Sequence, residues 1–255
     1  MISTYLIAII GSFIAGGINT LAGNGSAITL TILTELMGLP GNVANGTNRI
    51  GIASQSIASS WVFYKNDRLD IQQSGFYIIL ITLGALLGIY VAINVSNEAF
   101  RQVFRFLLVF MFIVILVNPK RWLREQSDIR KLPLWVSIPV FLSLGFYGGF
   151  IQMGMGVFFL AAMVLIARYN IIDSNAVKVV VVALYTSVAV GVFAWQGLID
   201  WKIGGLMAVG QTAGGYLTAR FAATDPRANK IAYWVLIVVV LLALAKMFGV
   251  FELFS

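Results

Sequence analysis

Gly23-Asn24-Gly25-Ser26-Ala27-Ile28-Thr29-Leu30-Thr31-Ile32-Leu33-Thr34-Glu35-Leu36-Met37 and Gly154-Met155-Gly156-Val157-Phe158-Phe159-Leu160-Ala161-Ala162-Met163-Val164-Leu165-Ile166-Ala167-Arg168 decide the architecture of this chain. Each opens on a glycine-punctuated turn and runs into a short apolar segment, 26–37 and 157–168. A helix needs roughly 20 apolar residues to cross a bilayer, so neither segment spans one alone. Short, glycine-interrupted hydrophobic segments in corresponding places of two halves point to a binding site built from broken helices.

The surrounding chain is as apolar as these stretches. Of 255 residues, 60% are hydrophobic and 11% charged, with a mean hydropathy of +0.92. A soluble domain carries about 45–50% apolar and about 25% charged residues. This composition excludes a soluble globular enzyme, a disordered chain and a nucleic-acid-binding module, and it makes the lipid bilayer the expected solvent. There is no Cys and no His. Thiolate nucleophiles, disulfides, zinc and iron–sulfur sites and His-based acid–base work are excluded, and no cofactor or metal is expected. The first residues, Met1-Ile2-Ser3-Thr4-Tyr5, carry no basic residue for a signal peptide.

Ten hydrophobic segments are expected, at about 3–22, 26–37, 43–64, 74–95, 99–117, 133–151, 157–168, 173–195, 202–222 and 231–250. The one long polar connection, around 118–132, leaves five segments on each side. The halves read as a repeat. At a spacing of 131, Gly17, Gly23 and Gly25 match Gly148, Gly154 and Gly156; at 130, Asn45, Val62-Phe63, Asp70, Gly75 and Gly84 match Asn175, Val192-Phe193, Asp200, Gly205 and Gly214. An odd number of segments per half inverts the second copy. The expected fold is an all-α polytopic membrane protein: one five-segment repeat over 1–117, a cytoplasmic linker at 118–132, and an inverted repeat over 133–255. Eleven basic residues (Lys65, Arg68, Lys120, Arg121, Arg124, Arg130, Lys131, Arg168, Arg220, Arg227, Lys230) fall on one side and four (Arg101, Arg105, Lys202, Lys246) on the other. The positive-inside rule makes the first side cytoplasmic and places both termini outside. The +7 balance is then mainly a topology signal.

The third segment, Asn45-Gly46-Thr47-Asn48-Arg49-Ile50-Gly51-Ile52-Ala53-Ser54-Gln55-Ser56, is too polar to face lipid. A cation inside a membrane segment costs several kcal/mol unless hydrated or paired, so Arg49 marks a functional site; the alternative is that it snorkels to the outer interface. Lys178 in the eighth segment matches Asn48, one residue from the place of Arg49, and Tyr185 follows it at i+7 and matches Gln55. No Asp or Glu lies centrally in any segment, so the two cations are expected to be uncompensated and to await an anionic substrate. The turns at Gly23-Asn24-Gly25-Ser26 and Gly154-Met155-Gly156 open short helices whose N–H groups favour anions. Asn19, Thr20, Ser26, Thr47 and Gln152 offer neutral donors. Gly84-x-x-x-Gly88 and Gly210-x-x-x-Gly214 read as helix packing.

These residues resemble a known family. Gly16-Gly17, Gly23-Asn24-Gly25-Ser26-Ala27-Ile28-Thr29-Leu30, Gly38-Leu39-Pro40, Asn45-Gly46-Thr47-Asn48-Arg49 and Arg68-Leu69-Asp70 look like the TauE/SafE sulfite exporters, as do Gly145-Phe146-Tyr147-Gly148-Gly149, Gly154-Met155-Gly156, Asn175-Ala176-Val177-Lys178 and Gly197-Leu198-Ile199-Asp200-Trp201. The resemblance covers nearly the whole chain. It implies a carrier of small sulfur-containing anions, such as sulfite or organosulfonates, in the bacterial cytoplasmic (inner) membrane. Two departures stand out: Asn24 interrupts a run that is usually all glycine, and Met155 stands where a small or polar residue is usual.

The expected mechanism is alternating access of two inverted halves around a midplane anion site. Arg49 and Lys178 would supply charge. The turns (Gly23, Asn24, Gly25, Ser26; Gly154, Met155, Gly156) would supply N–H donors. Asn19, Thr47, Asn48, Gln55, Gln152 and Tyr185 would orient the substrate. An anion channel, or a carrier for a carboxylate or inorganic anion, is the alternative. An intramembrane enzyme would want His, Cys or paired central carboxylates, none of which is present.

Overall fold

The computed structural model describes residues 2–92, 113, 116, 119–124, 128–129, 132–150, 152 and 154–247. The expected segment at 99–117 lies outside the described residues, apart from Ile113 and Leu116. Among the described residues the chain is all-helical: α1 (Ile2–Leu21), α2 (Ser26–Thr31), α3 (Gly41–Lys65), α4 (Ile71–Ala92), α5 (Pro119–Trp122), α6 (Leu134–Phe150), α7 (Met155–Ala161), α8 (Ile171–Trp195), α9 (Trp201–Thr224) and α10 (Ala228–Met247). Three helices are long and apolar enough to cross a membrane by length and composition, with windows at Thr4–Leu21, Ser74–Val91 and Ile171–Trp195.

The breaks follow from local chemistry. Gly23 and Gly154 both take φ +79°, a left-handed conformation that glycine adopts without a Cβ penalty. Pro40, extended at φ −54° and ψ 144°, precedes α3. Asn170 caps α8 by accepting the Asp173 N–H at 2.7 Å, and Asp200 caps α9 by accepting that of Ile203 at 2.9 Å. α2 and α7 each continue into a five-residue π-helical turn, Ile32–Leu36 and Ala162–Ile166. Both turns close alike: Met37 and Ala167 donate to Ile32 and Ala162, then Leu39 and Tyr169 donate to Leu33 and Met163. The residue between the two donors is left-handed in both turns, Gly38 at φ +69° and Arg168 at φ +67°.

These short helices turn back rather than cross. A Cβ on Gly25 would meet the Ala15 carbonyl oxygen at 2.0 Å, and one on Gly11 would meet the Ile32 side chain at 2.4 Å, so α2 runs back along α1. In the second half of the chain Phe158 lies edge-on to Tyr147 at 5.4 Å, and Met163 shares a buried cluster with Phe141, an earlier turn of α6. The tips touch: a Cβ on Gly23 would sit 2.3 Å from the Gly156 Cα, and the reverse distance is the same. At 1.5 Å per residue, 11 or 12 residues reach only about half the bilayer's hydrocarbon thickness.

The long helices interlock across the sequence midpoint. α1 packs on α9, and α4 on α6, through glycines with no room for a Cβ. Gly210 and Gly214 press on the Ile9 and Phe13 carbonyls, and Gly84 and Gly88 on those of Leu142 and Phe146. Both Gly-x-x-x-Gly pairs are thus helix contacts, as small residues in membranes allow. α3 and α8 run antiparallel at the centre. Gly46 abuts Phe193 and the Leu198 carbonyl, while Phe63 shares a cluster with Ile171 and Ile172.

The basic loops converge at one end. Arg68 donates to the Ala223 carbonyl at 3.0 Å and lies 3.9 Å from Asp173; Arg168 pairs with Asp128 at 3.4 Å; Asn229 accepts the Ile172 N–H at 3.3 Å. The connection after residue 117 departs from a simple polar linker. Trp122 is fully buried beside Tyr233, and Arg121 donates to the Val164 carbonyl at 3.2 Å, in the π turn after α7. Within the connection, α5 is a docked strap.

Candidate functional site

Where the hairpin tips meet, α1, α2, α3, α7 and α8 enclose a small, partly open cavity. Nine of the fifteen residues singled out from sequence line it: Asn19, Gly23, Ser26, Gln55, Gln152, Met155, Gly156, Lys178 and Tyr185. Ile52, Ser56, Val179 and Val182 complete the wall and were not anticipated. Polar and apolar side chains share the wall along α3 and α8, where Gln55, Ser56, Lys178 and Tyr185 stand beside Ile52, Val179 and Val182.

The first tip is an amide network. Asn19 Oδ1 accepts the Gly25 N–H at 3.0 Å, and Asn19 Nδ2 donates to Gln55 Oε1 at 3.4 Å. Gln55 Nε2 donates to Thr20 Oγ1 at 2.9 Å. Part of the donor capacity expected of this turn is therefore already engaged, the Gly25 N–H by Asn19. Both tips also carry buried polar atoms without partners. Gln152 is held at φ +59°, a conformation costly for a residue with a Cβ, and its buried Nε2 has no partner. Asn24 is 1% exposed, with both side-chain polar atoms unpaired.

The two cations differ from expectation and from each other. Lys178 lines the cavity, but it is not uncompensated. Its ammonium donates to the carbonyls of Asn19 (2.8 Å) and Thr20 (3.1 Å) and to Asn175 Oδ1, which uses all three N–H bonds. These acceptors are the C-terminal carbonyls of α1 and a neutral amide, which no count of carboxylates reveals. Arg49 is fully buried and does not snorkel. Its Nη2 donates to the Gly149 carbonyl at 3.4 Å, near the end of α6, and its guanidinium lies 5.6 Å from the Phe193 ring centre. Its Nε and Nη1 are buried without partners. Arg49 stands outside the cavity wall. Gly148, next to its acceptor, faces Met155 and the Tyr185 hydroxyl.

The remaining expected residues brace the site. Thr47 Oγ1 accepts the Asp200 N–H at 2.9 Å and so ties α3 to α9. Asn48 Oδ1 accepts from Gln211 Nε2 at 3.4 Å. Gly25 packs on α1, and Gly154 supplies the left-handed turn before α7. Gln211, 1% exposed with an unpaired Oε1, escaped sequence reading because a single Gln in an apolar segment has no partner nearby in the chain. Among the described residues no cluster of His, Cys, Asp or Glu could hold a metal.

An apolar chain, all-helical among its described residues, with two helices broken around a small, partly open cavity is in class a membrane transport protein. The pattern of the Sulfite exporter TauE/SafE family matches residues 8–247, and the chain belongs to that family. Two curated relatives agree in kind. "Probable membrane transporter protein ORF9" of Sinorhizobium sp is 27% identical over 213 residues, covering 84% of this chain and 81% of that protein. "Probable membrane transporter protein" of Haemophilus influenzae is 27% identical over 213 residues, covering 83% and 82%. No solved structure matches the chain.

Proposed function

We propose that this transporter carries a small sulfur-containing anion, sulfite or an organosulfonate such as sulfoacetate, by alternating access of two inverted halves. The anion would bind near the midplane, between the turns at 23–26 and 154–156. The observation that carries this reading is the cavity where the two hairpin tips meet. It brings Lys178 and the spare Gln152 amide together with no carboxylate in its wall. An anion supplies the countercharge that Lys178 lacks and an acceptor for the unpaired Gln152 Nε2. Apolar Ile52, Val179 and Val182 suit the carbon part of an organosulfonate. The family's name supports sulfur as the central atom.

The backbone contact between Gly23 and Gly156 favours a carrier over an open channel, because it shuts the path at the tips in this conformation. The 130-residue offset from α3 to α8, their antiparallel run and the matched hairpins support inverted halves. Gathering the basic loops at one end supports the orientation in which that end is cytoplasmic and both termini are outside, in the bacterial inner membrane. Export then runs with the field, since one negative charge moving out of a negative interior gains about 2.3 kcal/mol per 100 mV. Proteoliposome flux of sulfite, sulfoacetate, sulfate and acetate tests the proposal. Transport of the first two, with competition between them, is expected. Equal rates for all four anions would remove the sulfur specificity, and single-file conductance far above carrier turnover would replace the mechanism by a channel.

A further inference from the structure

A helix that ends leaves its last four carbonyl oxygens without intrahelical partners. At the break after Leu21 all four are accounted for. Ile18 accepts the N–H groups of Ala22 at 2.7 Å and Gly23 at 3.1 Å. The other three are taken from the opposite half of the chain, by α8. Lys178 holds the Asn19 and Thr20 carbonyls, and Asn175 Nδ2 donates to the Leu21 carbonyl at 2.9 Å. Asn175 also turns its Oδ1 to the Lys178 ammonium. Lys178 is 2% exposed and Asn175 0%. None of the ion pairs among the described residues involves Lys178.

A positive charge held by backbone carbonyls and an amide oxygen, at the C-terminal end of a broken helix beside the cavity, occupies the environment that broken-helix transporters offer to sodium. The helix end contributes roughly half a negative charge. Neutral oxygens hold a small cation without cancelling its charge, which still attracts a neighbouring anion.

We propose that Lys178 is a tethered stand-in for a coupling cation. Its ammonium fills an oxygen site that would otherwise take a small monovalent cation, so the anion crosses without sodium. This rests on the anion-carrier reading above. Because the cation is covalently attached, its occupancy does not follow the salt outside. The end of α1 stays joined to α8 whether or not sodium is present.

The test is counterflow of radiolabelled sulfite or sulfoacetate in proteoliposomes of the full chain, in choline, sodium or methylammonium chloride. Wild-type rates are expected to agree within about twofold in all three salts. Lys178→Ala is expected to lose about tenfold in choline and to recover at least threefold in sodium or methylammonium, but not in tetramethylammonium, which is too large for the site. A purely structural lysine would show no such selective recovery. Wild-type flux that requires sodium overturns the proposal, as does K178A flux at the wild-type rate in choline or a well-folded K178A that no small cation rescues. Thermal melting in the same salts covers a poorly folding variant. A rise in K178A melting temperature with methylammonium over tetramethylammonium, absent from wild type, is expected, and equal curves overturn the proposal. If wild type moves neither anion in any salt, the anion-carrier reading fails, and the melting comparison still decides the cation site.

Discussion

α1 ends on hydrogen bonds from Lys178 and Asn175 to its last three carbonyls, whereas Arg49 meets α6 through one 3.4 Å bond to Gly149. Each helix precedes a glycine turn, and each receives a cation from a long central helix of the other half. The lysine is saturated; the arginine keeps two buried nitrogens unpaired. The same placement thus yields a fixed clamp in one half and an unsatisfied donor in the other. Stability should therefore depend more on Lys178 and transport selectively on Arg49.

The comparison breaks most readily at the clamp. Lys178→Met leaves two buried carbonyls without donors, at about 1–3 kcal/mol each. It is expected to give the largest loss of melting temperature in detergent, together with loss of flux. Next comes the contact between the tips. Gly156→Ala places a Cβ 2.3 Å from the Gly23 backbone, which no rotamer relieves. Flux is expected to fall by an order of magnitude or more. The double variant with Gly23→Ala should cost less than the sum of the two, since both break one contact. A strictly additive pair in flux and melting would show that the tips do not touch in the working protein.

Arg49→Met should separate the two properties. It removes one long bond, so the melting temperature is expected to move less than for Lys178→Met, while transport falls about tenfold, equivalent to about 1.4 kcal/mol. Arg49→Lys should not restore it, because an ammonium lacks the planar fork. Equal melting losses for Arg49→Met and Lys178→Met would erase the contrast. The smallest effect belongs to the left-handed residue after each π turn, Gly38 in the first half and Arg168 in the second. Arg168→Gly relieves a conformation worth about 1 kcal/mol and forfeits an exposed pair with Asp128 worth about 0–1 kcal/mol. A melting change near zero or slightly upward is expected; a large loss would mean that the strap depends on this pair.

Much of this was readable from residue order. Hydropathy located the described helices other than α5 to within a few residues, and the 130-residue spacing of Asn45 and Asn175 became the offset between α3 and α8. Gly23 and Gly156 were singled out by their type and prove to be the point of contact. What escaped was whatever depends on backbone atoms. The partners of Lys178 are carbonyls of α1, and a carbonyl carries no letter in a sequence, so counting carboxylates left the lysine unpaired. Trp122 sits among basic residues and reads as linker until α7 and α10 supply the surface it buries against. Gln211 acquires meaning only through Asn48, 163 positions away.

The glycine contact between the tips has a mechanical consequence. Where helices meet through interdigitated side chains, sliding one past the other means climbing ridges out of grooves. At Gly23 and Gly156 there are no ridges and no rotamers to reset, so under the alternating access proposed above the seam would serve as a plain bearing, nearly smooth along its own plane.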